Sequence, residues 1–325
     1  MPAKPLRASI LLLTYKAAAT VVAALDGALA QTVPCELIVS DDCSPDDTYA
    51  VIQRHLADYA GPHRVVVRRG AKNLGVCGHQ SEVMALASGD VFVVMAGDDV
   101  SRPDRVARTL EAFAANPDVY IVGSAVDEID LQGSVTRRAI QYMPPVFDLS
   151  HYLRVGKLAS VLGAAMSIRR DLFDRFGPIE ALVEDNILSL RAALLGRGLS
   201  LSEALVDYRQ HAASLSSWVY ARADSSPDRF RRRYERTVRM YRDTADDLER
   251  CVARVDLAPA RRAQALDVVE MYRIEADARA AILDRPRREW LGPIWRGLRH
   301  PGLRRKSIER ALKLFIPRRW FGLKV

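Results

Sequence analysis

Short apolar runs alternate with amphipathic segments along the first half of the chain. The runs predict strands near residues 9–15, 36–41, 64–68, 91–95 and 119–123. The segments between them predict helices near 20–31, 45–59, 78–87 and 103–115. Strands that are apolar throughout and alternate with helices are typical of a parallel sheet covered on both faces. The pattern therefore predicts an α/β fold whose strand carboxyl ends lie along one crevice.

The pattern weakens after residue 127 and becomes helical near residue 229. It predicts a turn at 130–133, strands near 161–168 and 204–206, and helices at 170–176 and 184–195. Both composition and periodicity are mostly helical from 229 onward. We therefore expect three parts, which are an α/β domain at 1–219, a helical extension at 220–284 and a basic amphipathic segment at 285–325.

Positive charge is concentrated at the end of the sequence. Residues 1–219 carry 21 Lys/Arg and 25 Asp/Glu, whereas residues 285–325 carry 13 and 2. Two sets of apolar residues there recur at helical spacing among the basic ones: Leu291, Ile294, Trp295 and Leu298, then Ile308, Ala311, Leu312 and Phe315. A basic helix with an apolar stripe and flanking Trp indicates association with an anionic membrane surface.

Two other interpretations of this basic segment remain. Its stripes can dock onto the protein itself or onto a second subunit, and the oligomeric state stays open. Nucleic-acid binding is the other one, and we do not expect it because no recognition motif accompanies the charge.

Cysteine usage and run length bear on the cellular location. The four cysteines form no CxxC pair, so we expect a reduced environment. The first predicted strand begins soon after Met1, and we therefore expect no secretory leader. Uninterrupted apolar runs reach about six residues, against about 20 for a spanning helix. We expect a cytoplasmic protein that is peripheral on the inner face of the cell membrane.

Two acidic doublets carry the strongest chemical signal. Asp98-Asp99 follows an apolar strand, at the position where open α/β sheets bind ligands. Adjacent carboxylates repel unless a cation separates them, so this doublet favours a hard divalent metal that neutralises phosphates, with a polar turn as the alternative. Glu184-Asp185 begins a predicted helix, where it can supply a general base or simply complement the helix dipole.

Polar residues also follow the first two strands. Asp42, after the second strand, can accept a hydrogen bond from a pyrimidine base, although helix capping explains the same residues. Thr14 and Tyr15 end the first strand, one crossover away.

Two further polar segments have two interpretations each. The loop at Asn73 contains glycine but fails the GxGxxG rule, so it is either a loop that contacts a nucleotide or an ordinary turn. The segment 208–211 offers Arg209 for a diphosphate and His211 for a metal, or it forms a structural cluster.

Taken in order, these segments resemble the GT-A glycosyltransferases of family 2. The matching segments lie within about residues 7–217 and are LLLTY at 11–15, IVSDDCS at 38–44, NLGV at 73–76, AGDD at 96–99 with Pro103, FGPIE at 176–180, VED at 183–185 with Leu190, Arg191 and Gly196, and YRQH at 208–211 with Ser214 and Ser216. The resemblance implies a GT-A Rossmann-like fold and an inverting transfer of a sugar from a nucleoside diphosphate to an acceptor hydroxyl.

The resemblance also implies roles for the residues singled out above. Asp42 would hold a uracil or thymine base, with Thr14, Tyr15 and Asn73 in the nucleotide pocket. Asp98 would contact the ribose or the donor sugar, and Asp99 would bind Mg²⁺ or Mn²⁺. Asp185, beside Glu184, would be the general base.

One departure from the family concerns the metal. Many members carry a further Asp where this chain has Ala96, so the metal would depend on phosphates, water and His211.

The function expected from all this is extension of a lipid-linked glycan of a bacterial cell envelope. Two rivals are a nucleotide-sugar-binding scaffold without catalysis and a nucleotidyltransferase. The second needs a phosphate loop rich in glycine and basic residues after the first strand, and the residues that follow Thr14 do not provide one.

Overall fold

The computed structural model describes residues 5–210 and 227–314. Its contacts divide the chain into two compact units. The first, the sheet unit, contains the described residues up to Phe147 together with those of Ser160–His211. The second, the helical unit, contains Asp148–Ala159 and the described residues from 227 onward. The segments expected at 220–284 and 285–325 thus belong, in their described part, to one compact unit.

The elements are numbered in chain order through both units. They are β1 (Ala8–Thr14), α1 (Val21–Leu29), β2 (Glu36–Asp41), α2 (Thr48–Leu56), β3 (Arg64–Arg69), α3 (Gly75–Leu86), β4 (Val91–Ala96), β5 (Val100–Ser101), α4 (Arg105–Ala115), β6 (Val119–Ile129), β7 (Val135–Ile140), β8 (Val146–Phe147), α5 (Leu149–Val155), β9 (Met166–Arg169), α6 (Arg170–Phe176), α7 (Glu184–Leu195), β10 (Arg197–Arg209), α8 (Pro227–Arg254), α9 (Pro259–Asp284), α10 (Leu291–Arg299) and α11 (Arg304–Lys313).

The sheet unit is built on one mixed sheet. Its strand order is β3-β2-β1-β4-β9-β6-β10-β5, with β7 paired to β6 and β8 to β10. β1 pairs in parallel with β2 and with β4, and the registers set Thr14 beside Asp41 and Leu13 beside Ala96. Three neighbouring strands therefore end at the same edge, which is where open α/β sheets bind ligands. The α/β fold with a mostly parallel central sheet is confirmed.

The apolar strands are buried because helices cover both faces of the sheet. Ile10 and Leu12 share a hydrophobic cluster with α1 and α4, while Leu11, between them, is equally buried and faces the opposite side. Both α1 and α3 pack on β1. Each such side chain stabilises the fold by about 1.5–3 kcal/mol relative to an exposed one. A run without polar alternation is the expected signature of a strand buried on both faces.

Two strand boundaries differ from the sequence prediction. The strand expected at 161–168 covers only Met166–Arg169, because Gly163–Ala165 turns as one 3₁₀ helix before it. The strand expected at 204–206 is the end of β10, whose 13 residues include bulges between Leu201 and Val206. Bulges interrupt the period of two on which strand prediction relies, so the early part of β10 is hidden in the sequence.

The helical unit is built on the long pair α8 and α9, which pack along each other. The rings of Tyr241 and Tyr272 meet edge to face at a centroid distance of 5.3 Å. The short helices α10 and α11 pack against this pair. Trp290 and Ile294 are buried there in one cluster with Ala281 and Ile282 of α9. Across the described ranges, no helix combines the length and apolar character needed to cross a bilayer.

A buried ion cluster fastens α11 to α9. Glu275 is fully buried, and its two carboxylate oxygens accept hydrogen bonds from the Arg310 guanidinium at 2.6 and 2.9 Å. Arg279 also donates to Glu275, and the Lys306 ammonium lies 3.8 Å away. Burial disfavours the charged carboxylate, but the hydrogen bond from Arg310 and the three positive charges outweigh it and lower the pKa of Glu275 to about 2.

Replacing Glu275 by Gln is expected to lower the free energy of unfolding by about 3 kcal/mol, because the buried Arg310 and the partly buried Arg279 and Lys306 lose their counter-charge. The matched control is Glu270→Gln, whose exposed carboxylate lies 3.9 Å from Arg296 and should contribute under about 1 kcal/mol. Urea denaturation of the full chain followed by circular dichroism measures both. Equal stability of wild type and Glu275→Gln would show that the ion cluster at Glu275 does not stabilise the fold.

The same cluster predicts a pH dependence. Because the pKa of Glu275 in the folded chain lies below the value of 4.5 usual for Glu, its contribution is present above about pH 4.5. It is lost as the pH falls towards about 2. The stability gap between wild type and Glu275→Gln should therefore narrow when the denaturation is repeated at about pH 3.

Candidate active site

The loops that follow β1 and β2 are locked together by Asp41 and Ser44. Asp41 is fully buried and accepts hydrogen bonds from the Ser44 amide at 2.9 Å and from its hydroxyl at 2.5 Å. The Ser44 hydroxyl in turn accepts the Lys16 N–H at 2.9 Å. Lys16 and Cys43 both adopt positive φ angles, 52° and 56°. Strained backbone of this kind persists only where neighbours over-determine it, and it clusters at binding sites.

Asp42 and Asn73, both expected in a nucleotide pocket, are in contact. The Asp42 carboxylate accepts the N–H groups of Leu74 and Gly75, each at 2.9 Å, and the Asn73 side-chain amide donates to the Asp42 carbonyl at 3.2 Å. Gly75 has a φ of +69°, a conformation that favours glycine. Asp42 therefore holds the loop of Asn73 against the end of β2.

Thr14 and Tyr15 lie at the same edge of the sheet. Thr14 is buried and its hydroxyl donates to the Ser40 carbonyl at 3.2 Å, whereas Tyr15 is exposed. The Thr14 carbonyl accepts the Asp42 N–H at 2.9 Å. Of the five residues expected at the nucleotide, Thr14 ends β1, and Tyr15, Asp42 and Asn73 lie in the loops that follow β1, β2 and β3.

The turn after β4 packs directly on Thr14. A carbon added at Gly97 would lie 2.8 Å from Thr14 Cγ2, so only glycine permits this close approach. The Gly97 carbonyl also accepts the Thr20 hydroxyl at 2.9 Å. These contacts hold Asp98 and Asp99, the next two residues, beside the nucleotide loops.

Asp99 is buried beside Asp98, and the charges of Arg105 and Arg209 only partly offset its desolvation. Its Oδ1 accepts the Arg209 N–H at 2.7 Å. Desolvation and the neighbouring Asp98 charge raise the pKa of Asp99 well above its usual range, against the opposing effect of the Arg209 hydrogen bond. A carboxyl group in such surroundings gains most from a nearby cation.

The Arg209 guanidinium contacts main-chain carbonyls. It donates to Asp98 at 2.9 Å, to Asp130 at 2.8 Å and to Leu131 at 3.0 Å, and the residue is buried. Arg209 thereby ties the end of β10 to the β4 turn and the β6–β7 turn. Contact with a diphosphate stays a prediction for this residue. His211, the other expected member of this cluster, lies outside the described residues.

Sequence reasoning missed Arg105 behind Asp99. Its guanidinium is buried and donates to the Val94 carbonyl at 2.7 Å and the Ser101 hydroxyl at 2.8 Å. Desolvation lowers the pKa of Arg105 to about 9, while the charge of Asp99 opposes that shift. An Arg in the first turn of a surface-type amphipathic helix carries no signal of burial, so only the structure reveals it.

The residues at this edge fit a divalent cation to a limited degree. Asp99 supplies a hard carboxylate oxygen. Its negative charge is only partly balanced by the neighbouring arginines, which suits Mg²⁺ or Mn²⁺. Within the described residues, however, no three His, Cys, Asp or Glu side chains are grouped to hold an ion. Most ligands would therefore come from outside this set, from donor phosphates and water.

The second doublet is a carboxyl pair at the start of α7. Glu184 and Asp185 are half-buried and hydrogen-bonded to each other through their side chains. A helix N-terminus normally favours a charged carboxylate, but here desolvation outweighs it. Desolvation raises the pKa of Asp185 to about 6, and desolvation together with the Asp185 charge raises the pKa of Glu184 to about 8. The two carboxyl groups therefore titrate as a pair, and they share a proton in the hydrogen bond between them.

A chain of contacts connects this pair to Asp99. The Gly163 amide hydrogen-bonds Asp185, and a carbon added at Gly163 would lie 2.9 Å from Glu184 Oε1. Two residues on, Ala165 packs with Tyr208, whose neighbour Arg209 bonds Asp99. The short turn at 163–165 thus contacts the Glu184–Asp185 pair and shares a hydrophobic cluster with Tyr208, the residue before Arg209. The apolar pattern of the sequence predicts a strand here and gives Gly163 no role.

Comparison with known proteins gives the family. The model of Glycosyl transferase family 2 matches residues 9–177, more than half of the chain. An uncharacterized protein of Mycobacterium tuberculosis is 26% identical over 218 residues, and the match spans 65% of this chain but only 61% of that relative. The succinoglycan biosynthesis protein ExoO of Rhizobium meliloti is 37% identical over 119 residues, or 36% of this chain and 31% of ExoO.

Solved structures share the fold at low identity. S. aureus TarS 1-349, in complex with UDP-GlcNAc, is 18% identical with a TM-score of 0.60, and the match covers 95% of this chain and 90% of that fragment. The mannosyltransferase PcManGT of Pyrobaculum calidifontis, in complex with GDP-Man and Mn²⁺, is 17% identical with a TM-score of 0.56, covering 99% and 84%. With the parallel sheet and the ordered motifs, the family match leads to one conclusion: the chain belongs to glycosyl transferase family 2 and has the GT-A fold.

Proposed function

We propose that this family 2 chain is an inverting glycosyltransferase that moves a sugar from UDP or dTDP to a hydroxyl of a glycan acceptor. The observation that carries the proposal is the hydrogen-bonded pair of Glu184 and Asp185 at the start of α7, whose carboxyl groups have raised pKa values and which belongs to the same compact unit as the buried acid Asp99. A base of near-neutral pKa is suited to taking a proton from a hydroxyl at physiological pH.

In this proposal the nucleotide lies against the loops after β1, β2 and β3. Thr14, Tyr15, Asp42 and Asn73 line the pocket, and Asp42 accepts a hydrogen bond from a pyrimidine ring. Its two oxygens already accept loop amides, and each carboxylate oxygen has capacity for one more donor. TarS binds UDP-GlcNAc, which supports a uridine donor. PcManGT binds GDP-Man, so the two neighbours differ in the nucleotide base that they bind.

The diphosphate and the sugar lie by the β4 turn. Asp98 would contact the ribose or the donor sugar, and Asp99 would hold Mg²⁺ or Mn²⁺. Arg209 is assigned to the diphosphate, and His211, which lies outside the described residues, is assigned to the metal. When bound there, the cation would neutralise the charge that develops on the leaving diphosphate. The burial of Asp99 beside Asp98 and the Mn²⁺ bound to PcManGT support this assignment.

Transfer proceeds in one displacement. The acceptor oxygen forms a bond to the anomeric carbon while the bond from that carbon to the diphosphate breaks, and the acceptor proton passes to Asp185. Attack from the face opposite the leaving group inverts the configuration. Glu184 keeps its proton and donates a hydrogen bond to Asp185, which leaves Asp185 charged and able to act as the base.

The proposed acceptor is a lipid-linked glycan of the cell envelope. The name of ExoO places that relative in succinoglycan biosynthesis, and the chondroitin synthase of Escherichia coli, 28% identical over 128 residues, matches the chain as well. Both names point to polysaccharide assembly. Because each match covers a minor part of the relative, the substrate of the whole protein is an inference from these names.

Asp185→Asn is expected to lower kcat for sugar transfer, or for donor hydrolysis with water as acceptor, by about 10²–10⁴-fold. In the wild type, kcat should rise with pH through about 6 as Asp185 loses its proton. Release of UDP or dTDP at pH values from 5 to 9 measures both.

Glu184→Gln provides the matched control for that experiment. Glutamine can still donate a hydrogen bond to Asp185, so this variant should keep the rise near pH 6 and most of the activity. A pH profile of Asp185→Asn that equals the wild-type profile would exclude Asp185 as the base.

Mn²⁺ is expected to be required for donor binding. In a thermal-shift panel of UDP-, dTDP- and GDP-sugars, one donor family should stabilise the wild type only with Mn²⁺, because metal and ligand bind the folded state. Asp99→Asn should lose the metal-dependent part of the shift, whereas Asp185→Asn should keep it.

The panel also separates an enzyme from a scaffold. Donor binding kept in Asp185→Asn with turnover lost supports catalysis. Donor binding by the wild type with no turnover under any condition would favour a nucleotide-sugar-binding scaffold, and a metal-dependent shift retained in Asp99→Asn would overturn the metal assignment.

A further inference from the structure

The short helices α10 and α11 of the helical unit leave an apolar groove open to solvent. Its volume is about 360 Å³, and its lining residues are Leu291, Ile294, Trp295, Leu298, Ala311 and Leu314. Leu291 and Trp295 are each 56% exposed, and Leu312 on α11 is 61% exposed. Large apolar side chains exposed together, rather than singly, mark an interaction surface.

The apolar stripes seen in the sequence are divided between two environments. Ile294 is buried with Trp290 against α9, whereas Trp295, one residue further along α10, faces outward. On α11, Arg310 is buried in the ion cluster with Glu275, and Ile308 is exposed. Docking onto the protein itself therefore accounts for only half of the stripe, and it holds the other half in a fixed, outward-facing position.

Exposed basic side chains lie on or next to the helices that carry the exposed half. Those that are exposed on or near α10 and α11 are Arg285, Arg288, Arg296, Arg299, Arg304 and Arg305. The Arg299 guanidinium lies over the Trp295 ring at 4.7 Å from its centroid, so charge and apolar surface share one face. Only Glu289 and Glu309 bring acidic charge to residues 285–314.

We propose that this groove and its rim of arginines dock onto an anionic lipid surface, with Trp295 and Leu312 inserted among the acyl chains. Apolar side chains flanked by Arg, with a Trp at the boundary, combine burial in the interface with attraction to anionic headgroups. The charge complementarity selects a lipid surface over a second copy of this chain, because two such rims would repel each other. The proposal does not depend on the donor or on the transfer chemistry, so either can fail alone.

Point substitutions test this surface better than truncation does. Removing residues 285–325 would uncover the buried contacts of Trp290, Ile294 and Arg310, and the helical unit would lose stability together with its surface. Exposed side chains can be changed without that loss.

The experiment is co-sedimentation of the full chain with vesicles of phosphatidylcholine, with or without phosphatidylglycerol. Wild type should bind the phosphatidylglycerol vesicles and release them as salt is raised, because screening weakens the arginine rim. The double variant Trp295→Ser with Leu312→Ser should bind at least about tenfold more weakly. Arg304→Gln with Arg305→Gln should weaken binding to the anionic vesicles while leaving the apolar surface unchanged.

Leu266→Ser is the matched control, since Leu266 is exposed on α9 outside the groove and should leave vesicle binding unchanged. Circular dichroism confirms that each variant is folded. Equal binding by wild type and the Trp295/Leu312 variant, or no binding of wild type to anionic vesicles, would overturn the proposal. So would a wild-type dimer, seen by light scattering, that the same double variant dissociates, because a second copy would then occupy the groove.

Discussion

The parallel pairing of β1 with β2 and β4 is the constraint on which the candidate site depends. Because the registers end three neighbouring strands at one edge, Thr14, Asp42 and Asp99 are close although 85 residues of sequence separate the first from the last. The pairing also forces the turn after β4 against Thr14, a contact that only Gly97 permits. Burial of the apolar strands stabilises the register. Hydrophobic packing therefore also determines where the acidic residues lie at the edge of the sheet.

Burial of carboxyl groups has opposite results in the two units. Glu275 is surrounded by three cations, and its pKa falls to about 2, so it serves as a permanent anion that holds α11 in place. Asp99, Glu184 and Asp185 are desolvated without enough positive charge around them, and the pKa of each rises. The charge of Glu275 is balanced within the protein. The acids Asp99, Glu184 and Asp185 can still gain from binding a cation, a proton or a substrate, and carboxyl groups with such perturbed pKa values are typical of functional sites.

The end of the described chain shows how one amphipathic pattern can serve two surfaces. Ile294 and Trp290 stabilise the helical unit from inside, and Trp295 and Leu312 remain outside among arginines. When the apolar stripe of a helix is wider than the contact it makes, part of the stripe stays exposed. Basic residues beside this exposed part make it suited to an anionic surface. Because the ion cluster at Glu275 holds α11 on α9, it determines which of these apolar residues are buried and which are exposed.

The α/β fold and the family follow from the sequence alone, because continuous apolar strands, turn residues and ordered motifs are local signals. The same signals mark Asp42, Asp99 and Asp185 as candidates from their places after strands and at a helix start. The surroundings of these residues appear only in the folded chain, and they include the burial of Arg105, the turn at Gly163 beside Glu184 and the contacts of Arg209 with carbonyls. Desolvation and contacts between distant segments have no local signature, so chemistry that depends on them appears only when the chain is folded.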